Sequence, residues 1–385
     1  MMRRGGRMLR RAVHAVRVAT ALAGLCTVLA PPTARAEPYL AVRAGMKCLA
    51  CHVNPDGGGK RTEFGAAYGQ TALAKERLDP ATGQSAAPGT EPALWVGRIN
   101  DQFALGVDLR ATLQRVKVPG STETLGFTPT RAQIYLEAKP IGERLTLYLD
   151  ERVAPGAATP RESWALLWFA QRSAYLKAGR MFVPFGLRIE DDTAFIRQVT
   201  GVNFNSSDDG VQGGLEVGPW SAALSVTNGA GGVAENNRRK WISASANFVR
   251  SDWRVGLSAS TNTDAGIERR MISVFGGLRT GRVAWLASAV ALTDDAVQSP
   301  RIGQRASLVE ANIEAARGHN VKLGYEYHDP DVDVRENQRT RYSAVWEFVP
   351  FQFTQFRVGV RKNDGIPQNK PQNATELFLQ WHAFF

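Results

Sequence analysis

From about Leu94 to Phe385 the chain alternates apolar and polar residues with a period of two, in one stretch after another. Leu145, Leu147 and Leu149 alternate with Thr146, Tyr148 and Asp150, and Val321, Leu323, Tyr325 and Tyr327 with Lys322, Gly324, Glu326 and His328. Trp253 to Ser260 and Phe356 to Arg361 repeat the pattern. Successive side chains of a strand point to opposite faces, so each stretch reads as a strand with one apolar and one polar face. A soluble sandwich alternates in the same way, so the period alone leaves two architectures open.

Three features favour a membrane barrel. The alternating segments are about ten residues long and are separated by turn chemistry, as in transmembrane barrels. All nine tryptophans lie at or beyond Trp95, and Trp220, Trp241 and Trp253 open strands, where aromatic side chains suit a membrane interface. The last segment, Thr375 to Phe385, places Leu377, Leu379, Trp381, Ala383 and Phe385 on one face, an ending that resembles the recognition signal of bacterial outer-membrane proteins. About sixteen strands follow, starting near Phe103, Arg131, Arg144 and Ser163 and running to Met271, Ala306, Arg341, Phe353 and Thr375. The expected fold is all-β, a transmembrane antiparallel barrel, with tight turns at Val217-Gly218-Pro219 and Arg279 to Arg282 and longer outer loops at Ala230 to Asn237 and Ile366 to Asn373.

Ahead of the barrel stands Cys48-Leu49-Ala50-Cys51-His52, the attachment signature of a c-type haem. Two thiols can add to the haem vinyl groups, and the adjacent imidazole can ligate the iron. A zinc half-site and a thioredoxin-like pair are the alternatives. Zinc needs a second ligand pair, yet no cysteine follows Cys51 and the next histidine is His319. A redox pair needs a strand and helix around it, where Asn54-Pro55-Asp56-Gly57-Gly58-Gly59 follows instead.

The chain opens with arginine-rich residues, an apolar run from Val18 to Ala30 too short to span a bilayer, and the small-residue site Ala34-Arg35-Ala36. This is the order of a secretory signal peptide, with cleavage expected before Glu37 and Cys26 lost with it. Residues 1–36 hold seven arginines and no acid, so the printed net charge of +11 falls to +4 on removing them. The basic balance is a targeting feature and gives no reason to expect nucleic-acid binding. Export also agrees with covalent haem attachment, which takes place outside the cytoplasm.

The expected organisation is a signal peptide at 1–36, a monohaem cytochrome c module at 37–75, a Pro/Gly/Ser/Ala linker at 76–93 and the barrel at 94–385. About forty residues cannot bury an ordinary core, so the module's Leu40, Val42, Phe64 and Tyr68 are expected to cover apolar haem surface. Thr62 to Ala74 reads as a short helix weakened by Gly65 and Gly69. Cys48 and Cys51 are the covalent haem residues and His52 the proximal iron ligand. Met46, the module's only methionine, is a candidate for the distal position, although its place two residues before Cys48 makes the opposite face hard to reach and packing beside the haem is the alternative. His328 and His382, on expected lumen faces, are further ligand candidates. Glu190, Asp191 and Asp192, with Ser206 to Asp209 beyond them, read either as a solvated loop or as an acidic knot that meets cations at the barrel mouth.

Lys177-Ala178-Gly179-Arg180-Met181-Phe182-Val183-Pro184-Phe185-Gly186-Leu187 resembles a strand and turn of porins of the phosphate-selective O/P type, which implies sixteen strands. Gly45 to His52, the nearby Phe64-Gly65 and the barrel ending in Phe385 together resemble the fused monohaem cytochrome–porins of iron-oxidising bacteria, from which Asn54 to Gly59 departs. That resemblance implies an outer-membrane electron conduit: one covalent haem c plugs the pore, in the lumen or on the periplasmic side. The partners it implies are periplasmic c-type cytochromes and an extracellular metal ion or other electron donor or acceptor. The chain would be an electron-transfer protein rather than a substrate-converting enzyme. Two rivals stand beside it, a diffusion porin with a haem gate, sensor or docking module, and a haem enzyme with an open sixth position.

Overall fold

The structure, a computed structural model, describes residues 37–85, 93–191, 193–202, 207–235, 237–296 and 299–385. Residues 1–36, where a signal peptide is expected, residues 86–92 of the expected linker, Asp192 and Ser206 lie outside the described residues.

The alternating stretches form a closed ring of antiparallel strands. In chain order the strands are β1 (Phe103–Lys117), β2 (Thr124–Ala138), β3 (Pro140–Glu143), β4 (Leu145–Ala154), β5 (Thr159–Phe169), β6 (Ala174–Met181), β7 (Asp208–Val217) and β8 (Trp220–Thr227). They continue with β9 (Trp241–Val249), β10 (Trp253–Asp264), β11 (Ile267–Thr280), β12 (Val283–Ala296), β13 (Ser299–Ala316), β14 (His319–Asp329), β15 (Arg339–Phe348), β16 (Thr354–Asp364) and β17 (Thr375–Phe384). The short β3 stands outside the ring, which leaves sixteen strands. Each pairs with its chain neighbour, and β1 closes on β17 with Leu109 opposite Ala383 and Leu113 opposite Leu379. Closure leaves no unpaired edge, the condition for a sheet to cross hydrocarbon.

Burial separates the barrel from a sandwich. In β4 Leu147 and Leu149 are exposed while Thr146, Tyr148 and Asp150 are buried. Around the ring the buried set holds Asp108, Arg110, Gln133, Glu162, Lys177 and Gln212, and the exposed set holds leucine, valine, isoleucine and tryptophan. A water-soluble sheet would bury the apolar set. This one turns it outward, as a lipid-facing belt requires. At the end with the short turns Trp220, Phe248 and Trp253 form one exposed group, with centroids 4.7 and 5.4 Å apart, and Trp95 packs on Phe385 at 4.3 Å.

The strands are longer than the alternation alone indicates. β2 begins at Thr124 rather than near Arg131, β11 at Ile267 rather than Met271 and β13 at Ser299 rather than Ala306. Each extension lies at the end with the long loops, where ladder bonds continue but no lipid imposes a two-residue period. Trp241 corrects the aromatic expectation. It opens β9 but faces the lumen, buried, and donates from Nε1 to Ser260 Oγ at 2.6 Å.

Two segments fold into the barrel. Residues 37–75 form α1 (Pro38–Ala44), the single turn α2 (Cys48–Cys51) and α3 (Glu63–Tyr68), continued by a wider turn at Gly69–Leu73. Thr62 caps α3 by accepting from the Gly65 amide at 3.0 Å, so the expected helix starts in place and is cut short near the glycines. The segment bonds to strands on all sides. Tyr39 donates to Glu347 on β15 at 2.8 Å, Arg43 to Asn320 on β14 at 2.9 Å, Lys47 to Glu216 on β7 at 2.9 Å and Asn54 to Glu162 on β5 at 3.0 Å. Lys60 pairs with Glu137 on β2 at 2.9 Å. A short segment that reaches opposite walls of a closed ring lies inside it.

The second inward segment is the loop from Phe182 to Val202, between β6 and β7. It carries α4 (Phe195–Gln198), and its Val183, Phe185, Ile189, Phe195 and Ile196 pack against Trp241, Met271, Val290, Leu292 and Leu308 on the inner wall. The two segments meet where Arg188 Nη1 donates to the Gly57 carbonyl at 2.9 Å and where Leu187 packs against Leu40 and Val42. Beyond the plug, residues 75–78 run along the turn after β15, with Lys75 N donating to Val349 O at 2.8 Å and Leu78 N to Gln352 Oε1 at 2.9 Å.

Candidate functional site

The single turn of α2 sets Cys48 and Cys51 three residues apart and so on one face. His52 leaves the helix in extended conformation and bridges to Arg61. Cys48, Cys51 and His52 line the same lumenal cavity, with about 1100 Å³ of empty space, within the plug and open on one side. Pro184, Phe185, Leu187 and Phe275 make one side apolar, while Ser221, Ala222, Ala223, Ser245 and Gly186 keep the wall close to the backbone.

Backbone space next to the thiols is tight. Gly57 has φ +83°, and a Cβ there would lie 3.3 Å from Cys48 Cβ and 3.4 Å from its Sγ. A Cβ on Gly65 would stand 2.3 Å from the Cys51 carbonyl oxygen. Burial, reinforced by Cys48 and opposed by Arg61, pushes the Cys51 thiol up to about 11. A thiol that stays protonated at neutral pH differs from the low-pKa thiolate of a redox pair. Among the described residues no group of three or more His, Cys, Asp or Glu side chains converges as a metal site. Two thiols on one helical face, an adjacent imidazole and a shared apolar-walled cavity fit a covalently held haem.

Met46 does not line this cavity. It packs with Ala44, Ala50 and Leu73 against Cys51 and Tyr68, and its backbone is fixed by the Ala41 carbonyl at 2.9 Å. Tyr68 is buried beside Cys51, as expected of a covering residue. Val42 instead packs on Leu286 of the wall, and Phe64 is exposed, because the barrel supplies most of the apolar cover that the isolated module lacked. Leu40 and His52 also line a second cavity, of about 900 Å³, together with Arg61, Glu190 and His382. His382 has Nδ1 2.9 Å from Gln355 Oε1 and Nε2 3.3 Å from Asp108. His328 lies elsewhere on the wall, against Phe195, with Arg339 donating to its Nδ1 at 2.7 Å.

Glu190 and Asp191 are paired with arginines rather than left to meet cations. Glu190 pairs with Arg110 at 2.7 Å and Arg131 at 3.2 Å, and Asp191 with Arg361 at 2.8 Å and Arg341 at 3.3 Å. These partners come from β1, β2, β16 and β15, so the two carboxylates tie the inward loop across the seam of the ring. Of the second acidic pair, Asp208 is buried and accepts from Gly232 N at 3.2 Å, and Asp209 pairs with Arg180 at 2.9 Å. Arg188, Arg254 and Glu216, which the sequence does not mark, complete the charged lining of the thiol cavity.

No family model matches the sequence, and neither does any curated protein. Solved structures do match the fold. OmpT of Vibrio cholerae superposes with a TM-score of 0.57 at 14% identity, over 75% of this chain and 99% of that one. An anion-selective porin from Comamonas acidovorans gives 0.57 at 13% identity, over 74% and 99%. The outer membrane channel DcaP of Acinetobacter baumannii gives 0.53 at 11% identity, over 74% and 97%. At these identities the likeness is one of fold. The chain is a closed sixteen-stranded barrel of the outer-membrane porin fold, with residues 37–75 and the loop from Phe182 to Val202 folded into its lumen.

Proposed function

We propose that this chain is an outer-membrane electron conduit whose N-terminal segment holds one haem c inside the barrel. The observation that carries the reading is that Cys48, Cys51 and His52 line one cavity within a lumen crossed by two inward segments. The thiols of Cys48 and Cys51 would add S–H across the two vinyl double bonds, each sulfur bonding carbon and each proton going to the neighbouring carbon. His52 would supply the proximal nitrogen. The bound haem would supply one-electron transfer in a stretch of hydrocarbon about 25 Å tall that otherwise blocks electrons.

The remaining residues keep the arrangement closed. Lys177, buried, fixes Asp56 at 2.7 Å, and Gln212 donates to the same carboxylate at 2.9 Å, so the loop after His52 is clamped to β6 and β7. Burial alone would raise the Asp56 carboxyl, but Lys177 and Arg188 outweigh it and hold it below the usual carboxylate range. Glu190 and Asp191 hold the other inward segment in the same manner. The short-turn end would face the periplasm, as in bacterial barrels, and meet c-type cytochromes there. The long-loop end would meet an extracellular metal ion or other electron donor or acceptor.

The porin fold favours a second reading, in which the barrel passes small solutes and the inward segments form a gate. One experiment separates the two. Purified protein is placed in liposomes with an oxidant sealed inside and a soluble reductant outside, as wild type and as Cys48→Ala/Cys51→Ala. The conduit reading expects the trapped oxidant to be reduced without leaking, only in wild type. Equal leakage from both variants, or oxidation state changes confined to the protein, would leave the solute pore as the function.

A further inference from the structure

Arg254 stands on the lumen face of β10, buried to 9% exposure, and lines the cavity that Cys48, Cys51 and His52 share. Its guanidinium makes no hydrogen bond, ion pair or ring contact among the described residues, although every other charged side chain around this cavity is engaged. Lys47 is taken by Glu216 at 2.9 Å, Asp56 by Lys177 at 2.7 Å, Glu37 by Lys322 at 2.8 Å, Glu190 by Arg110 at 2.7 Å, and Arg188 by the Gly57 carbonyl at 2.9 Å. A buried charge without a partner is costly, and a guanidinium offers a planar fork suited to a carboxylate. Its neighbours leave room for such a group. Ser221, Ala222, Ala223 and Ser245, all small side chains, line the cavity from β8 and β9.

We propose that Arg254 is the anion anchor of this cavity and binds a carboxylate of the group held by the two thiols, a haem propionate. The inference rests on the haem reading above and adds to it a residue, an orientation and an electrostatic role. With thioether bonds at α2, Arg254 would hold a propionate at the wall of the same cavity, near the short-turn end. A cation beside the propionate would stabilise the reduced, more negative state, so the arginine would raise the reduction potential.

The test uses the full-length protein expressed with c-type haem maturation, as wild type, Arg254→Gln and Arg254→Lys. Intact mass and the pyridine haemochrome spectrum report covalent haem, and a spectroelectrochemical titration reports the potential. The expected result is covalent haem in all three, a lower potential in Arg254→Gln and substantial recovery in Arg254→Lys. Equal potentials in wild type and Arg254→Gln, with haem present in both, would overturn the Arg254 assignment and leave the haem reading standing. A folded wild-type barrel without covalent haem would overturn both. If Arg254→Gln fails to fold, Arg254→Met takes its place: a lowered potential with a resonance Raman propionate-bending mode shifted from wild type supports the assignment, whereas an unchanged mode and potential overturns it.

Discussion

Lys177 on β6 and Asp56 in the plug form an ion pair at 2.7 Å in which the lysine side chain is fully buried. It joins the wall directly to the loop that follows His52. Removing one partner of a buried pair costs roughly 3–5 kcal/mol, because the other charge stays behind unpaired. Lys177→Met is therefore expected to release the loop from the wall and raise single-channel conductance in planar bilayers. Asp56→Asn added to Lys177→Met is expected to recover part of the loss, since the stranded carboxylate is gone. Conductance identical to wild type in Lys177→Met would show that this pair does not hold the plug.

Acid should loosen both inward segments. Burial by itself would raise Asp56, Glu190 and Asp191, but the cations beside them prevail: Lys177 and Arg188 for Asp56, Arg110 and Arg131 for Glu190, Arg361 and Arg341 for Asp191. Carboxyls held lower in the folded state than in the released one, where they titrate near about 4, stabilise docking above that value. The contribution is lost as the pH falls through about 4 towards the lower folded values. Glu37 works against this trend, since burial and then Glu347 raise it, so its protonation in acid relieves a cost of docking. With three depressed carboxyls against one raised, limited proteolysis of the plug is expected to be flat from pH 7 to 5 and to increase below about 4. Release on going from pH 7 to 9, with none in acid, would contradict the sign.

The ring was legible because lipid imposes a face on each strand. Leu145, Leu147 and Leu149 must all point outward, and that requirement writes a two-residue period into the sequence. Thr124 to Pro129 pairs with β1 beyond a bulge at Thr130 but carries no such constraint, so its strand character is silent. Trp241 shows that parity outranks residue type: it shares a face with Ser243 and Ser245, which marks it as lumenal despite being a strand-opening tryptophan. The Cys48 to His52 motif stands out in the sequence because it is local, five residues that need no partner to be noticed. The inward loop was not. Glu190 and Asp191 depend on Arg110, Arg131, Arg341 and Arg361, which ring closure alone brings together. Arg254 could be read as lumen-facing from its place between Trp253 and Val255, but its lack of a partner emerges only once every neighbouring charge has been matched.

Gly57 and Gly65 test how closely the backbone is fitted to the thiols. Alanine at Gly57 would hold φ +83° against a preference costing about 1–2 kcal/mol, and would press on the Cys48 thiol. Alanine at Gly65 would meet the Cys51 carbonyl at 2.3 Å, a backbone atom that cannot turn aside, so α3 would have to move off α2. On the proposed haem reading, covalent haem per barrel, read as haem absorbance against heat-modifiable barrel on a gel, is expected to fall more for Gly65→Ala than for Gly57→Ala. An unchanged ratio in Gly65→Ala would mean that α3 does not need to sit against the cysteine turn for attachment.

Leu257 and Trp253 lie on the outward face of β10, 51% and 45% exposed. Trp253 is at the short-turn end, and Leu257 is four residues further in. At about 3.4 Å per residue that is near the middle of an apolar belt about 25 Å tall. An arginine at the middle of such a belt costs roughly 2–4 kcal/mol, and one near the interface about 0–1, because there the side chain reaches water and headgroups. Leu257→Arg is therefore expected to lower the free energy of unfolding in lipid vesicles by several-fold more than Trp253→Arg, measured by urea titration of tryptophan fluorescence. In an aqueous setting both arginines would be solvated and nearly harmless. Equal, small losses at the two positions would mean that this face of β10 does not contact hydrocarbon, and a depth-graded loss would fix the position of the belt along the strand.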